Sequence, residues 1–163
     1  MDERGFFARN FSRRALQAVG LDTDFPEWSI SYNRRRGTLR GLHLQTAPYA
    51  ETKIVQCVRG AVFDVAVDLR ADSPSYGRWA AFELSSENRR LLYIPKGFAH
   101  GFQTLSEDCE LLYHISEIYR PGHSAGVRWD DPDLAIEWPD VDKRTMSQRD
   151  ANLPRLKDLG NSQ

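Results

Sequence analysis

Long apolar runs are missing from these 163 residues, and none approaches the length of a membrane-spanning helix. Excess charge is missing too. Twenty-two Lys and Arg stand against 23 Asp and Glu, a formal net charge of −1, which argues against a general nucleic-acid or polyanion binder. Cysteine is scarce. Cys57 and Cys109 both sit in apolar strand-like runs and read as small buried hydrophobes, which fits a reducing, cytoplasmic compartment. The start, MDERGFFARNFSRR, has acids first and no apolar stretch, so it is not expected to act as a secretory signal. No internal repeat and no low-complexity segment occurs. The one basic run, Arg34-Arg35-Arg36, reads as the flank of a turn into Gly37.

What is present is strand after strand. KIVQCV (53–58) stops at Arg59-Gly60. AVFDVAVDL (61–69) sets Val62, Asp64, Ala66 and Asp68 against Phe63, Val65, Val67 and Leu69. ADSPSYG (71–77) is turn chemistry. RWAAFEL (78–84), LLYIP (91–95), KGFAHGFQTL (96–105) and CELLYHIS (109–116) follow at short intervals with no helical pattern between them. Such spacing predicts an antiparallel sandwich or barrel. The best helix candidate is NFSRRALQAVG (10–20), with Ser12 as cap and Gly20 as stop. The expectation is one domain over 1–163: an N-terminal segment 1–36, a barrel over about 37–138, and a polar tail 139–163 holding a short helix or ordered coil.

Three stretches carry candidate chemistry. In GTLRGLHLQ (37–45), Leu42 and Leu44 alternate with His43 and Gln45. If the second face is solvent, His43 is an ordinary strand histidine; if it is the inside of a barrel, the strand builds a site. In CELLYHI, Tyr113 shares a face with Cys109, Leu111 and Ile115 and is expected inward, while His114 is expected outward with Glu110. In IPKGFAHGF (94–102), Gly97 and Gly101 predict a tight turn and a close backbone approach that constrain His100. Taken singly, Tyr113 reads as a core tyrosine, Lys53 as a strand-end lysine and Asp150 as a cap. His114 and His123 read as structural or surface residues. Asp130 and Asp131, in WDDPDL, read as turn chemistry before Pro132.

PKGFAH has the Pro-x-Gly-x-x-His spacing of the second cupin motif, and cupins are double-stranded β-helix or jelly-roll barrels. Metal-binding cupins carry His-x-His where this chain has His43-Leu44-Gln45. An amide is a poor ligand for a divalent transition metal, so no metal is expected. A closer resemblance covers residues 2 to about 157. DERGFF, GTLRGLHLQ, ETKIVQCVRGAVFDVAVDLRADSPSYGRW, YIPKGFAHGF, LLYHISEIYRPG, VRWDDPDLAIEWP and MSQRDANLPRL come in the order seen in dTDP-4-dehydrorhamnose 3,5-epimerases.

That resemblance implies an all-β, cupin-like jelly roll with short peripheral helices and no cofactor. It implies action on a nucleotide-linked 4-keto-6-deoxyhexose, whose C3 and C5 protons flank the ketone. By position, His43 matches the base, Asp150 its partner, Lys53 the lysine beside the sugar and Tyr113 the proton donor. Arg40 and His100 match substrate contacts, Tyr119 matches the ring that stacks on thymine, and Gln45 and Arg149 join the substrate-binding set. Arg4 and Phe7 match residues lent to a neighbouring subunit, which implies a homodimer. The chain departs from the family pattern at Arg9, at Trp28-Ser29-Ile30 and at Ser124, all nucleotide-side or substrate-contacting positions, and more mildly at Arg149. The alternatives are a 3- or 5-monoepimerase, a metal-dependent cupin oxygenase or isomerase using His43 and His100, and a barrel that only binds sugars.

Overall fold

The computed structural model describes residues 2–161. A short helix, α1 (Arg13–Ala18), opens the ordered elements. Ser12 caps it by accepting from the Ala15 N–H, and Gly20 follows at φ 73°, as the sequence predicts. Among the described residues nine strands follow: β1 (Glu27–Asn33), β2 (Leu39–Gln45), β3 (Lys53–Arg59), β4 (Ala61–Asp68), β5 (Trp79–Ser85), β6 (Leu91–Ile94), β7 (Phe98–Thr104), β8 (Cys109–Ile115) and β9 (Ser124–Gly126). The tail carries α2 (Gln148–Ala151) and a 3-10 segment from Leu156 to Asn161.

The strands form two antiparallel sheets, ordered β1-β8-β3-β6 and β5-β4-β7-β2-β9. This is the jelly-roll arrangement of cupins. Two apolar clusters hold it. Val55, Cys57, Val62, Leu84, Ile94, Phe102, Cys109 and Leu111 form one, drawn from both sheets. Leu39, Leu42, Val65, Val67, Ala99, Val127, Leu134 and Trp138 form the other, so the chain after β9 packs against the second sheet. Each fully buried leucine or valine contributes roughly 1.5–3 kcal/mol. Both cysteines are free and buried.

Strand β1 lies ten residues before the expected start of the barrel. EWSISYN does alternate, but Trp28, Ile30 and Tyr32 are exposed, so burial was not available as a signal. It pairs with β8 along its whole length, placing Ser29 opposite Tyr113 and Trp28 opposite His114. His114, expected at the surface, faces out from its sheet but is buried beneath Trp28, with ring centroids 4.1 Å apart. The sheet covers itself there with an aromatic lid.

One local feature aims the site. Gly41 has φ 112°, and a Cβ on it would lie 2.6 Å from Gly101 Cα and from the His100 carbonyl oxygen. A Cβ on Gly101 would lie 2.7 Å from the Arg40 carbonyl oxygen. Two glycines therefore let β2 and β7 approach where the register shifts between Arg40 and His43. His43 then stands directly opposite His100.

Candidate active site

The open end of the barrel interior is a cavity of about 470 Å³. His43 and Arg40 reach it from β2, His100 from β7, Lys53 from β3 and Tyr113 from β8, while Asp150 and Arg149 enter from α2. Nine expected residues thus meet in one place, since Gln45 and Tyr119 also line it. Arg4 and Phe7 do not. Arg4 bonds Asp2 at 2.8 Å and Phe7 is fully exposed, both outside the cavity.

His43 Nε2 lies 2.8 Å from Asp150 Oδ1. The carboxylate is buried and held from two sides. Its backbone N–H donates to Ser147 Oγ, the cap of α2, and its Oδ2 accepts from the Gly41 N–H at 3.4 Å. Nε2–H therefore donates to Asp150 and leaves the Nδ1 lone pair for chemistry. Burial lowers the proton affinity of the imidazole below its ordinary value; Asp150 opposes this, and Lys53 and Arg149 add to it. The ring is neutral at pH 7, the form a general base needs.

Tyr113 has the opposite poise. Burial, then the Asp64 charge, pushes its phenol well above the ordinary value, with Arg40 opposing. It holds its proton at neutral pH. His43 belongs to the five-stranded sheet and Tyr113 to the four-stranded one, so the base and the acid line the cavity from opposite sheets.

Lys53 is not a free cation. Its Nζ lies 2.7 Å from Glu51 Oε1, and both side chains are nearly buried. Asp64 is a second group that sequence reasoning passed over. It is completely buried on β4, with Oδ1 2.9 Å from His100 Nε2. A carboxylate inside the otherwise apolar VFDVAV was a visible signal; its partner, 36 residues away, was not.

Gln45 changes role. It was expected among the substrate contacts, and it does border the cavity, but its amide is committed to backbone. Oε1 accepts from the Arg120 N–H at 2.5 Å. Nε2 donates to the Tyr49 carbonyl at 3.1 Å and to the Ile118 carbonyl at 3.4 Å. At the place of a cupin metal ligand, the amide instead grips the chain on both sides of Tyr119. The imidazole Nε2 atoms of His43 and His100 are each taken by a carboxylate. Among the described residues, no group of three or more His, Cys, Asp and Glu is arranged to hold a metal ion.

A family model described as dTDP-4-dehydrorhamnose 3,5-epimerase matches residues 1–158. The chain belongs to that family. It is 45% identical over 159 residues to the dTDP-4-dehydrorhamnose 3,5-epimerase of Methanothermobacter thermautotrophicus, covering 96% of this chain and 85% of the relative. The structure of the Bacillus anthracis enzyme with TDP and PPi bound superposes with a TM-score of 0.91 at 43% identity, covering 95% of this chain and 88% of that one. The dTDP-6-deoxy-D-glucose-3,5-epimerase of Legionella pneumophila, in complex with dTDP-4-keto-L-rhamnose, gives 0.90 at 40% identity, covering 96% and 83%.

Of the departures from the family pattern, Ser29, Ile30, Ser124 and Arg149 border the cavity, Ser29 directly opposite Tyr113, while Arg9 and Trp28 are not in its lining. Arg149 Nη2 donates to Ser124 Oγ at 2.6 Å, so two altered positions touch each other. Ile30 reaches the cavity, whereas Trp28 packs on His114 instead. Asp131 accepts from the N–H groups of Asp133, Leu134 and Leu156, a turn role as expected. His123 packs edge-on against Tyr49, outside the cavity lining. Among the described residues, no helix is long and apolar enough to cross a membrane.

Proposed function

We propose that this chain epimerises a nucleotide-linked 4-keto-6-deoxyhexose, converting dTDP-4-dehydro-6-deoxy-D-glucose to dTDP-4-dehydro-L-rhamnose. The observation that carries the reading is a neutral histidine base and a protonated tyrosine acid approaching one cavity from opposite sheets. Inversion needs that arrangement, because the proton must return to the face opposite the one it left. His43 Nδ1 takes the proton from the carbon beside the C4 ketone. The C–H electron pair moves into the ring and the carbonyl pair onto the C4 oxygen, giving an enolate. Tyr113 delivers a proton to the other face, the enolate collapses to the ketone, and proton exchange with solvent restores both side chains. Asp150 orients His43 and stabilises the imidazolium. Lys53 and Arg40 sit near the developing charge. The ketone already acidifies both neighbouring protons, so the reaction calls for no cofactor.

Names of relatives support the substrate: the Legionella structure holds dTDP-4-keto-L-rhamnose and the Bacillus structure holds TDP. Tyr119, exposed at the outer end, offers its ring to the base, with Arg149 beside it for the diphosphate. The deciding experiment incubates the protein in deuterium oxide with several nucleotide-linked 4-keto-6-deoxy sugars and follows C3 and C5 by NMR. Deuterium should enter at both carbons with inversion of configuration. No incorporation into any of them would overturn the reading.

The protein works as a homodimer in the cytoplasm. Edge strand β1 leaves Trp28, Ile30 and Tyr32 exposed, an apolar stripe that a second copy would cover. Arg4 and Phe7, outside their own cavity, would serve the partner's. Sedimentation should give a dimer, and a fully active monomer at all concentrations would refute this. Two buried free thiols, burial having raised Cys57 to about 11, suit a reducing compartment.

A further inference from the structure

Asn33 closes β1. It is buried and outside the cavity lining, yet it is tied to a residue that lines it. Its Oδ1 accepts from Arg40 Nε at 2.7 Å. Its Nδ2 donates to Ser31 Oγ at 3.2 Å, to the Ser31 carbonyl at 3.3 Å and to the Cys109 carbonyl at 3.5 Å. An arginine Nε–H can only donate, which fixes Oδ1 toward it and turns Nδ2 to the carbonyls. β1 belongs to the four-stranded sheet and β2 to the five-stranded one, so this one amide bridges the two sheets. An apolar side chain would fill the place without desolvating a polar group. What the amide adds is a hold on Arg40.

Arg40 is the cation of the lining with its charge left over. Among the described residues no carboxylate lies within ion-pair distance of it. Lys53 is taken by Glu51, and Arg149 bonds Ser124. With Nε anchored, the two Nη groups of Arg40 are free for the cavity. The groups around the Tyr113 phenol are Asp64 on β4, Cys57 on β3, Arg40 on β2 and His100 on β7, its ring centroid 5.9 Å away, with Ser29 directly opposite on β1. Burial and Asp64 hold the proton on the phenol, and Arg40 opposes them. When Tyr113 protonates the enolate carbon, its O–H bond breaks and the electron pair stays on the phenolic oxygen. That anion forms in a buried place, which Asp64 makes more costly still. A cation already fixed beside it meets the charge without reorganisation.

We propose that Asn33 is a positioning residue: by holding Arg40 Nε it keeps the guanidinium beside Tyr113, where it offsets the phenolate that forms as the proton is delivered. This rests on the epimerase reading, which makes Tyr113 the donor. Arg40 meets the reacting groups; Asn33 acts through it.

Two measurements test it. The first needs no substrate. In the full chain labelled with 15N at arginine, the Arg40 Nε–H, identified by its loss in Arg40→Lys, should exchange slowly with water. In Asn33→Leu, which keeps the volume and removes every bond, it should exchange as fast as the exposed arginines. Fast exchange in the wild type would overturn the proposal. The second compares deuterium entry with inversion. In Asn33→Leu inversion should fall about tenfold, the size of losing a hydrogen bond to a charged group, while deuterium entry through His43 stays within about twofold. An equal loss of both would overturn the proposal, because a loosened binding site slows both alike. Asn33→Asp keeps the shape and a grip on Nε but sets a carboxylate against the guanidinium, and it carries the test on its own if the leucine does not fold. It should keep the slow exchange and still lose inversion; inversion at the wild-type rate there would remove the role of the charge. If the wild type exchanges deuterium with no 4-keto sugar, the epimerase reading fails and takes the proposal with it. If the wild type is active and both variants keep its ratio of deuterium entry to inversion, the proposal fails alone.

Discussion

The inner and outer ends of the cavity are built on different principles. At the inner end three side chains are each fixed by a carboxylate: His43 by Asp150, His100 by Asp64, Lys53 by Glu51. These groups are largely buried. At the outer end Tyr119 is exposed, and Ser124, Ile30 and Arg149 depart from the pattern. Its order comes from backbone, through Gln45. Proton transfer tolerates little misplacement, which suits an inner end whose side chains are paired. Gripping a nucleotide allows more than one solution, so the outer end can vary. The division predicts that inner substitutions act on turnover and outer ones on KM.

The sharpest break is at His43. His43→Asn keeps a polar group of similar size but no base. Deuterium entry at both carbons should fall by 10²–10⁴-fold, the usual worth of a positioned general base, with the fold intact by circular dichroism. Exchange at the wild-type rate would remove His43 as the base. Its pH behaviour sharpens the point. Only the neutral ring abstracts a proton, and burial holds its pKa below 6.5. The rate is therefore full above that value and lost as the pH falls through the depressed one. The acid limb of kcat/KM should lie below pH 6.5. In Asp150→Asn, which removes the influence that raises the pKa, it should move lower still.

Tyr113→Phe should be the next largest and the most selective. It removes the acid from one sheet and leaves the base on the other. Deuterium should still wash into the substrate by abstraction and return through His43. Formation of the inverted sugar should drop by about 10²-fold or more. Tyr119→Phe should leave inversion nearly unchanged. Inversion at the wild-type rate in Tyr113→Phe would make Tyr113 a core tyrosine and leave water as the donor.

Much of the inner end was legible because strand period places residues on faces. Leu42 packs behind β2 while His43 faces the cavity, and Leu111 and Tyr113 share an inward face. Gly97 and Gly101 do sit at a left-handed turn and a close approach. What the sequence hid was pairing across long separations. Nothing in the strand carrying Asp64 points to His100, and nothing beside Lys53 says that Glu51 neutralises it. Strand β1 escaped because an edge strand need not bury its apolar members. His114 escaped because period fixes its face but not the indole that covers it. Strand period puts Gln45 on the cavity face, but its backbone partners are invisible in the sequence.

Gln45 supplies the mildest test, and it probes the outer end alone. Its amide saturates three backbone groups, two of them on the residues flanking Tyr119. Gln45→Leu keeps the volume and removes every bond. The freed Arg120 N–H sits near the surface and can find water, whereas the Gln45 position itself is buried, so the stability cost should be about 1–3 kcal/mol. The Tyr119 ring would lose its fixed approach to the base without losing its chemistry. KM should rise about fivefold, while kcat and the ratio of deuterium entry to inversion stay within about twofold, because Gln45 bonds only the Tyr49, Ile118 and Arg120 backbone and neither His43 nor Asp150 depends on it. Gln45→Glu keeps the acceptor for Arg120 and loses both donors, and should fall between the two. A Gln45→Leu protein with unchanged KM would show that the Tyr119 segment is held by something else. One with a collapsed kcat would show that the two ends are coupled, and that the division drawn between them is too clean.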